Sequence, residues 1–341
     1  MEKIRVAING FGRIGRAFCK IAQDYDEIEI VAINDLGDVE NLAYLLRYDT
    51  AYGKWNHAVE TRDGNLVING HEIPFLQERD PSKLPWSDMQ IDVALESTGF
   101  FTKYQDAKMH LDAGAKRVVI SAPAKGEPVE GIASATVLMG INNDALQTCQ
   151  ITSNGSCTTN ASSPVVQILN ETVGVEKAIL NTVHGYTATQ ALQDSPSKDY
   201  RKGRAAAQNI IPTTTGAAIA VTKALPQLSG KFDGMAMRVP VIVGSIADIT
   251  FVASRDTSVE EINDIFRTAA QDPRWHGVFT VWEDPIVSSD IIGERYGAIL
   301  DLNSTMVVAG NLVKVLSWYD NETGYTNTLV KHVIETGKHT K

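Results

Sequence analysis

In the stretch NGSCTTN, Asn154 to Asn160, a single cysteine stands among hydroxyl and amide side chains. A thiol that only packs is ordinarily surrounded by apolar groups, so Cys157 is a candidate nucleophile, with a buried structural thiol as the plain alternative. At an ordinary pKa only about 3% of a thiol is ionised at pH 7, and lowering that pKa to about 6 takes roughly 3.4 kcal/mol. A helix N-terminus at Cys157 would lower it, but supplies about 0.3–1 and at best about 2 kcal/mol. A second basic or cationic group is therefore required. Of the seven histidines, His184 is the candidate, because it ends the apolar run AILNTV and opens the hydroxyl-rich HGYTATQ. A satisfied strand-end histidine is the alternative, and sequence separation alone does not pair it with Cys157. His57, His71, His110, His276, His332 and His339 lie in polar or terminal contexts and read as surface residues.

A second stretch, NGFGRIG, supplies Gly10, Gly12 and Gly15 as G-x-G-x-x-G between a strand pattern and a helix pattern. Glycines there permit a tight turn and close approach of backbone N–H groups to a pyrophosphate at a helix N-terminus. Asp35 ends the next strand pattern, where a carboxylate accepts from both ribose hydroxyls and repels a 2′-phosphate, which favours NAD over NADP. A glycine turn with Asp35 as a cap is the alternative.

Two further places suit anions. IIPTTTGAAIAV puts Thr215 and Gly216 before a helix pattern, as a phosphate cradle or simply a threonine cap. Arg201, Lys202 and Arg204 lie in a polar stretch, and Arg238 sits inside the apolar run MAMRVPVIV, where a guanidinium needs an anionic partner unless it is a solvated edge charge.

The elements that must position these residues fall into two lobes. Ile4, Val6 and Ile8 alternate as a strand, and Ile14, Ala17, Phe18, Ile21 and Ala22 recur as one helix face. IEIVAIND, DVALES, KRVVIS and TVLMG are further buried strands, the pattern of a parallel doubly wound sheet. Beyond residue 156, the longer strand patterns AILNTVHGYTA, GMAMRVPVIV, SIADITFVAS and TMVVAGNLVKVLSWY predict a mainly antiparallel α+β lobe. The helix after the cysteine is predicted to start at Pro164 with Ser163 as its cap. Tyr325, Leu329 and Val333 predict a last helix.

The chain has 341 residues, 43% hydrophobic and 21% charged, with a net charge of −10, which opposes nucleic-acid and anionic-membrane partners. No apolar run approaches a membrane span, and the start lacks the features of a secretory signal. Three cysteines, Cys19, Cys149 and Cys157, form neither a disulfide framework nor a zinc spacing, so a cytoplasmic location and no metal are expected.

The ordered set AINGFGRIGR, ESTG, SNGSCTTN, HGYTATQ, RAAAQNIIPTTTGAA, RVP and WYDNETGY closely resembles phosphorylating glyceraldehyde-3-phosphate dehydrogenases, from about residue 3 to residue 335. The resemblance implies Cys157 as nucleophile and His184 as its base. It implies Arg13, Ile14, Asp35, Arg79, Ser121 and Asn321 as NAD contacts, with Asn321 on the nicotinamide carboxamide. Thr187, Thr189, Arg204 and Arg238 are implied around the substrate phosphate, and Ser156, Thr158, Thr215 and Gly216 around inorganic phosphate. It further implies a helix starting near the cysteine, an NAD-binding domain over 1–156 completed by a C-terminal helix over 319–341, a catalytic domain over 157–318, and a homotetramer. The family's second cysteine is replaced by Ala161 and its tryptophan by Thr323; VIVGSIADIT departs from the family pattern, and Ser195 and Pro196 leave strict NAD preference open. An erythrose-4-phosphate dehydrogenase, a Cys-His hydrolase and a nucleotide-sensing or RNA-binding module are the competing functions.

Overall fold

The computed structural model describes residues 2–340. The chain divides into one unit comprising Met1–Val137, Asn142–Gly155 and Leu329–Lys341, and a second comprising Leu138–Ile141 and Ser156–Thr328.

In the first unit, strands β1 (Ile4–Asn9), β2 (Ile28–Asn34), β3 (Phe75–Leu76), β4 (Val93–Glu96), β5 (Arg117–Ile120), β6 (Ser134–Thr136) and β7 (Ile151–Ser153) form one sheet in the order β6-β7-β5-β4-β1-β2-β3. Every pairing in it is parallel. Such a sheet is buried on both faces, which explains the near-continuous apolar runs. Helix α1 (Arg13–Ala22) follows β1 and turns Phe18, Cys19, Ile21 and Ala22 inward. Strand order reverses between β1 and β4, so a crevice opens at their carboxyl ends, the place where doubly wound sheets bind ligands. Helices α2 (Val39–Arg47) and α3 (Tyr104–Asp112) complete the connections, with a small antiparallel sheet over 59–73.

The second unit holds β8 (Val175–Gly185), β9 (Ile211–Thr214), β10 (Phe232–Val239), β11 (Ser245–Ala253), β12 (Phe279–Trp282), β13 (Ala298–Val308) and β14 (Leu312–Tyr319), ordered β9-β10-β8-β11-β14-β13-β12. The β8/β10 and β12/β13 pairings are parallel and the other four antiparallel, so the sheet is mixed with an antiparallel majority. One face packs under α4 (Cys157–Thr172), α5 (Ala217–Ala224) and α6 (Val259–Ala269), joining Val165, Leu169, Val221 and Phe266 to Leu180, Ile249 and Val315 in one core. The other face leaves Ile179, Met235, Met306 and Val308 exposed.

Three local expectations are corrected. TVLMG contributes only Thr136 to a strand; at Gly140 (φ +80°) a Cβ would lie 2.8 Å from the Trp275 ring, so the chain leaves the sheet to pack elsewhere. The helix predicted from Pro164 starts at Cys157, because Ser156 and Thr159 form a reciprocal capping box; Pro164 lies inside it, without an N–H to return to the Asn160 carbonyl. The strand AILNTVHGYTA ends at Gly185. Helix α7 (Thr323–Lys338) starts where Asp320 Oδ1 accepts from the Glu322 and Thr323 N–H groups, and it buries Tyr325, Leu329 and Val333. The division between units falls inside it, after Thr328.

Candidate active site

In the first unit the crevice is a cleft of ≈ 500 Å³ whose lining includes Gly10, Gly12, Asp35, Arg79 and Thr98. Glycine is forced at two of its three motif positions. Gly10 has φ +97° and a Cβ there would lie 2.5 Å from the Thr98 nitrogen; at Gly15 a Cβ would lie 2.0 Å from the Gly10 carbonyl oxygen. Gly12 differs: nothing lies within 4 Å of where its Cβ would be. It caps α1 without any side-chain hydrogen bond, so open space fronts the uncapped N–H groups of a helix start. Asp35 accepts from the Phe11 N–H at 2.6 Å on one oxygen and from the Gly37 N–H at 2.8 Å on the other. Each oxygen keeps a second lone pair for a ribose hydroxyl. Cradle and carboxylate together fit a dinucleotide without a 2′-phosphate.

The remaining expected cofactor contacts are placed differently. Arg13 is paired with Asp49 at 2.6 Å and lies over the Tyr52 ring. Ser121 donates its N–H to the Glu96 carbonyl, and neither it nor Ile14 lines the cleft. Asn321, in the second unit, is buried; its Oδ1 accepts from the Gly244 N–H at 3.0 Å and the Ser245 hydroxyl at 3.1 Å, which leaves its amide NH₂ as the group able to donate.

In the second unit Cys157 is the first residue of α4 and half-buried, with Sγ 3.3 Å from His184 Nε2. His184 is the penultimate residue of β8 and is 3% exposed. Its Nδ1 lies 2.6 Å from the Gly185 carbonyl oxygen, so Nδ1–H donates there and the Nε2 lone pair faces the sulfur. Arg238, paired with His184 across β8 and β10, approaches Nδ1 at 3.0 Å and donates to the same carbonyl at 3.1 Å. Burial and the Arg238 charge push His184 down to about 3. For Cys157 the expected lowering is corrected: burial pushes the thiol up, opposed by Arg238 and by hydrogen bonds at the helix start, because protein crowds the sulfur more than a helix end compensates. Burial thus acts against thiolate and imidazolium alike, while Arg238 favours the first and disfavours the second.

Around it, Ser156 Oγ accepts from the Thr159 N–H, and Thr158 Oγ1 shares a hydrogen bond with the buried Tyr319 hydroxyl at 2.9 Å. That hydroxyl also meets Thr182 at 2.7 Å, and the Tyr319 ring stands edge-on to His184. Tyr319 was not singled out from sequence; its place two residues before Asn321 in WYDN was the available signal. Thr187 and Thr189 face each other at 2.9 Å, and Thr215 Oγ1 accepts from the Ala217 N–H beside the open Gly216. The Arg238 Nε is buried without a partner, a donor fitted to an anion, whereas Arg204 is held by Asp194 at 2.8 Å on the surface. Two of the histidines read as surface residues, His110 and His332, are fully buried.

Comparison with known proteins agrees along nearly the full length of the chain. The family description "Glyceraldehyde 3-phosphate dehydrogenase, NAD binding domain" matches residues 4–104, and the corresponding C-terminal domain matches residues 156–321. Glyceraldehyde-3-phosphate dehydrogenase 1 of Bacillus cereus is 47% identical over 328 residues, covering 96% of both chains. The enzyme of Streptomyces coelicolor is 46% identical over 98% of both chains, and that of Borreliella burgdorferi is 47% identical over 96% of this chain and 98% of its own.

Proposed function

Because the chain belongs to the glyceraldehyde-3-phosphate dehydrogenase family, an NAD-dependent oxidoreductase, we propose that Cys157 and His184 carry its chemistry. The 3.3 Å approach of sulfur to imidazole at the start of α4 is the observation that supports this. The same family membership favours glyceraldehyde 3-phosphate over the erythrose 4-phosphate alternative.

As Cys157 Sγ bonds to the aldehyde carbon, its proton passes to His184 Nε2. The imidazolium N–H then holds the new oxyanion, while Gly185 and Arg238 fix the ring from behind. Bound NAD supplies the acceptor for the hydride that departs as the carbonyl re-forms. The product on Cys157 is a thioester. An oxygen of inorganic phosphate attacks its carbon, the C–S bond breaks, the phosphate proton returns to sulfur, and His184 releases its proton to solvent. One 1,3-bisphosphoglycerate and one proton leave per turnover.

We assign NAD binding to residues of the first unit together with Asn321, and acyl chemistry to the second unit. Asp35, Gly10, Gly12, Gly15, Arg13, Ile14, Arg79, Ser121 and Asn321 serve the cofactor. Arg238, Thr187, Thr189 and Arg204 serve the substrate phosphate, and Ser156, Thr158, Thr215 and Gly216 the attacking phosphate. The exposed Ile179, Met235, Met306 and Val308 of the second sheet support self-association, and the family resemblance implies that the assembly is a homotetramer. Three free cysteines support a cytoplasmic location. No described helix is long and apolar enough to cross a membrane, and no described cluster could hold a metal ion. The test is absorbance of the reduced nicotinamide with glyceraldehyde 3-phosphate against erythrose 4-phosphate, NAD against NADP, each with and without phosphate. Turnover that ignores phosphate would contradict the scheme.

A further inference from the structure

Beneath the dinucleotide cleft lies a carboxylate that the chemistry above does not use. Glu96, the last residue of β4, is 1% exposed. Its Oε1 accepts from the Thr98 N–H at 2.8 Å and from the Thr98 hydroxyl. Its Oε2 accepts from Asn9 Nδ2 at 2.6 Å and from His110 Nε2 at 3.1 Å. His110 can donate only through Nε2, because its Nδ1 accepts from the Trp86 indole N–H at 3.0 Å.

The bonds beyond Asn9 all point the same way. Asn9 must turn its NH₂ toward the carboxylate, so its Oδ1 is left to accept from Asn34 Nδ2 at 2.7 Å. That leaves Asn34 Oδ1 to accept from the Glu78 N–H at 2.8 Å, while Asn34 Nδ2 also reaches the Glu78 carbonyl at 2.8 Å. The acceptor-only carboxylate at one end and the Glu78 peptide at the other agree on a single orientation for both amides, and the chain they form ties Glu96 to the backbone beside Arg79. Asn9, Asn34, Glu78 and Thr98 all line the cleft. They come from the carboxyl ends of three neighbouring strands and the loop after β3, and Glu96 joins them all.

We propose that Glu96 is a positioning residue for the dinucleotide, whose buried charge polarises the Asn9–Asn34–Glu78 chain and the Thr98 turn so that the cleft is set before the cofactor arrives. This rests on the cleft being the dinucleotide site. Glu96→Gln keeps the shape of the side chain but replaces one acceptor oxygen by an NH₂, so either the Thr98 N–H or the Asn9 amide then faces a donor. The expected loss of NAD affinity is about tenfold or more, which is about 1.4 kcal/mol or more.

NAD is titrated calorimetrically into the wild-type protein and Glu96→Gln, and steady-state constants are measured on both. The expected result is a raised Kd and KM for NAD with kcat at saturating NAD within about twofold of wild type, and unchanged alkylation of Cys157. A folded Glu96→Gln with wild-type NAD affinity, or one that loses kcat with KM unchanged, overturns the proposal. Should Glu96→Gln fail to fold, Asn34→Ala, at the far end of the chain, decides in the same way: raised KM supports the proposal and unchanged KM overturns it. A wild-type protein that binds no NAD contradicts the cofactor assignment itself, and the positioning role falls with it.

Discussion

Arg238 Nη1 lies 3.0 Å from His184 Nδ1, so a permanent positive charge stands behind the imidazole that faces Cys157. That charge lowers both partners of the pair: it favours thiolate and disfavours imidazolium. It is the second cationic group that the thiol required, although the sequence pointed to Arg238 only as an anion site.

Arg238→Gln is accordingly expected to raise the pKa of both groups. The pH profile of Cys157 alkylation by iodoacetamide, measured on the cofactor-free protein, should move to higher pH, and KM for glyceraldehyde 3-phosphate should rise. An alkylation profile that does not move would show that the guanidinium is not felt at the sulfur.

His184→Asn removes the proton acceptor at 3.3 Å. Loss of a positioned general base typically costs about 10²–10⁴-fold, expected here in kcat with NAD binding retained. Stopped-flow measurement of the first turnover checks it, and a first turnover of wild-type speed would exclude the proton transfer to Nε2.

Gly12 and Gly15 should separate binding from folding. Gly12→Ala adds a methyl group where the protein has nothing within 4 Å, so the thermal midpoint should hold while NAD affinity falls through obstruction of the cradle. Gly15→Ala drives a methyl group against the Gly10 carbonyl oxygen and should destabilise the first unit outright. Equal effects of the two on NAD affinity and on melting would refute the cradle.

Acid should destabilise the fold through two buried imidazoles. His184 and His332 are each pushed by burial from the ordinary 6.5 to about 3. The unfolded chain takes up a proton at each near 6.5 and the folded chain does not until about 3. Their contribution is therefore intact above pH 6.5 and is lost as pH falls through that window, at up to about 1.4 kcal/mol per pH unit per histidine. In denaturant titrations across that range, His332→Gln should flatten the slope by one proton. An unaltered slope would mean that folded His332 protonates normally.

The dinucleotide loop was legible because its signal is local: glycines forced by close backbone contacts, then an acidic residue at the end of the next strand. The start of α4 was not. Thr158 to Leu169 are buried almost all round, so no amphipathic stripe marks the helix, and its capping box uses threonine where glutamate or glutamine is the usual signature. Nor was the burial of His110 and His332 legible, since their partners Trp86, Glu96, Thr152 and Asn154 are far along the chain. The Cys157–His184 pair has the same character. Residue types suggested it, but only strand β8 and helix α4 folding together bring sulfur to imidazole.

The central claim, an acyl group carried on Cys157, is tested most directly by mass spectrometry of protein quenched after mixing with glyceraldehyde 3-phosphate and NAD in the absence of phosphate. The expected result is one phosphoglyceroyl adduct on the peptide holding Cys157, formed with one equivalent of reduced nicotinamide and discharged when phosphate is added. Reduced nicotinamide appearing without an adduct, or with the adduct on another residue, would contradict the account.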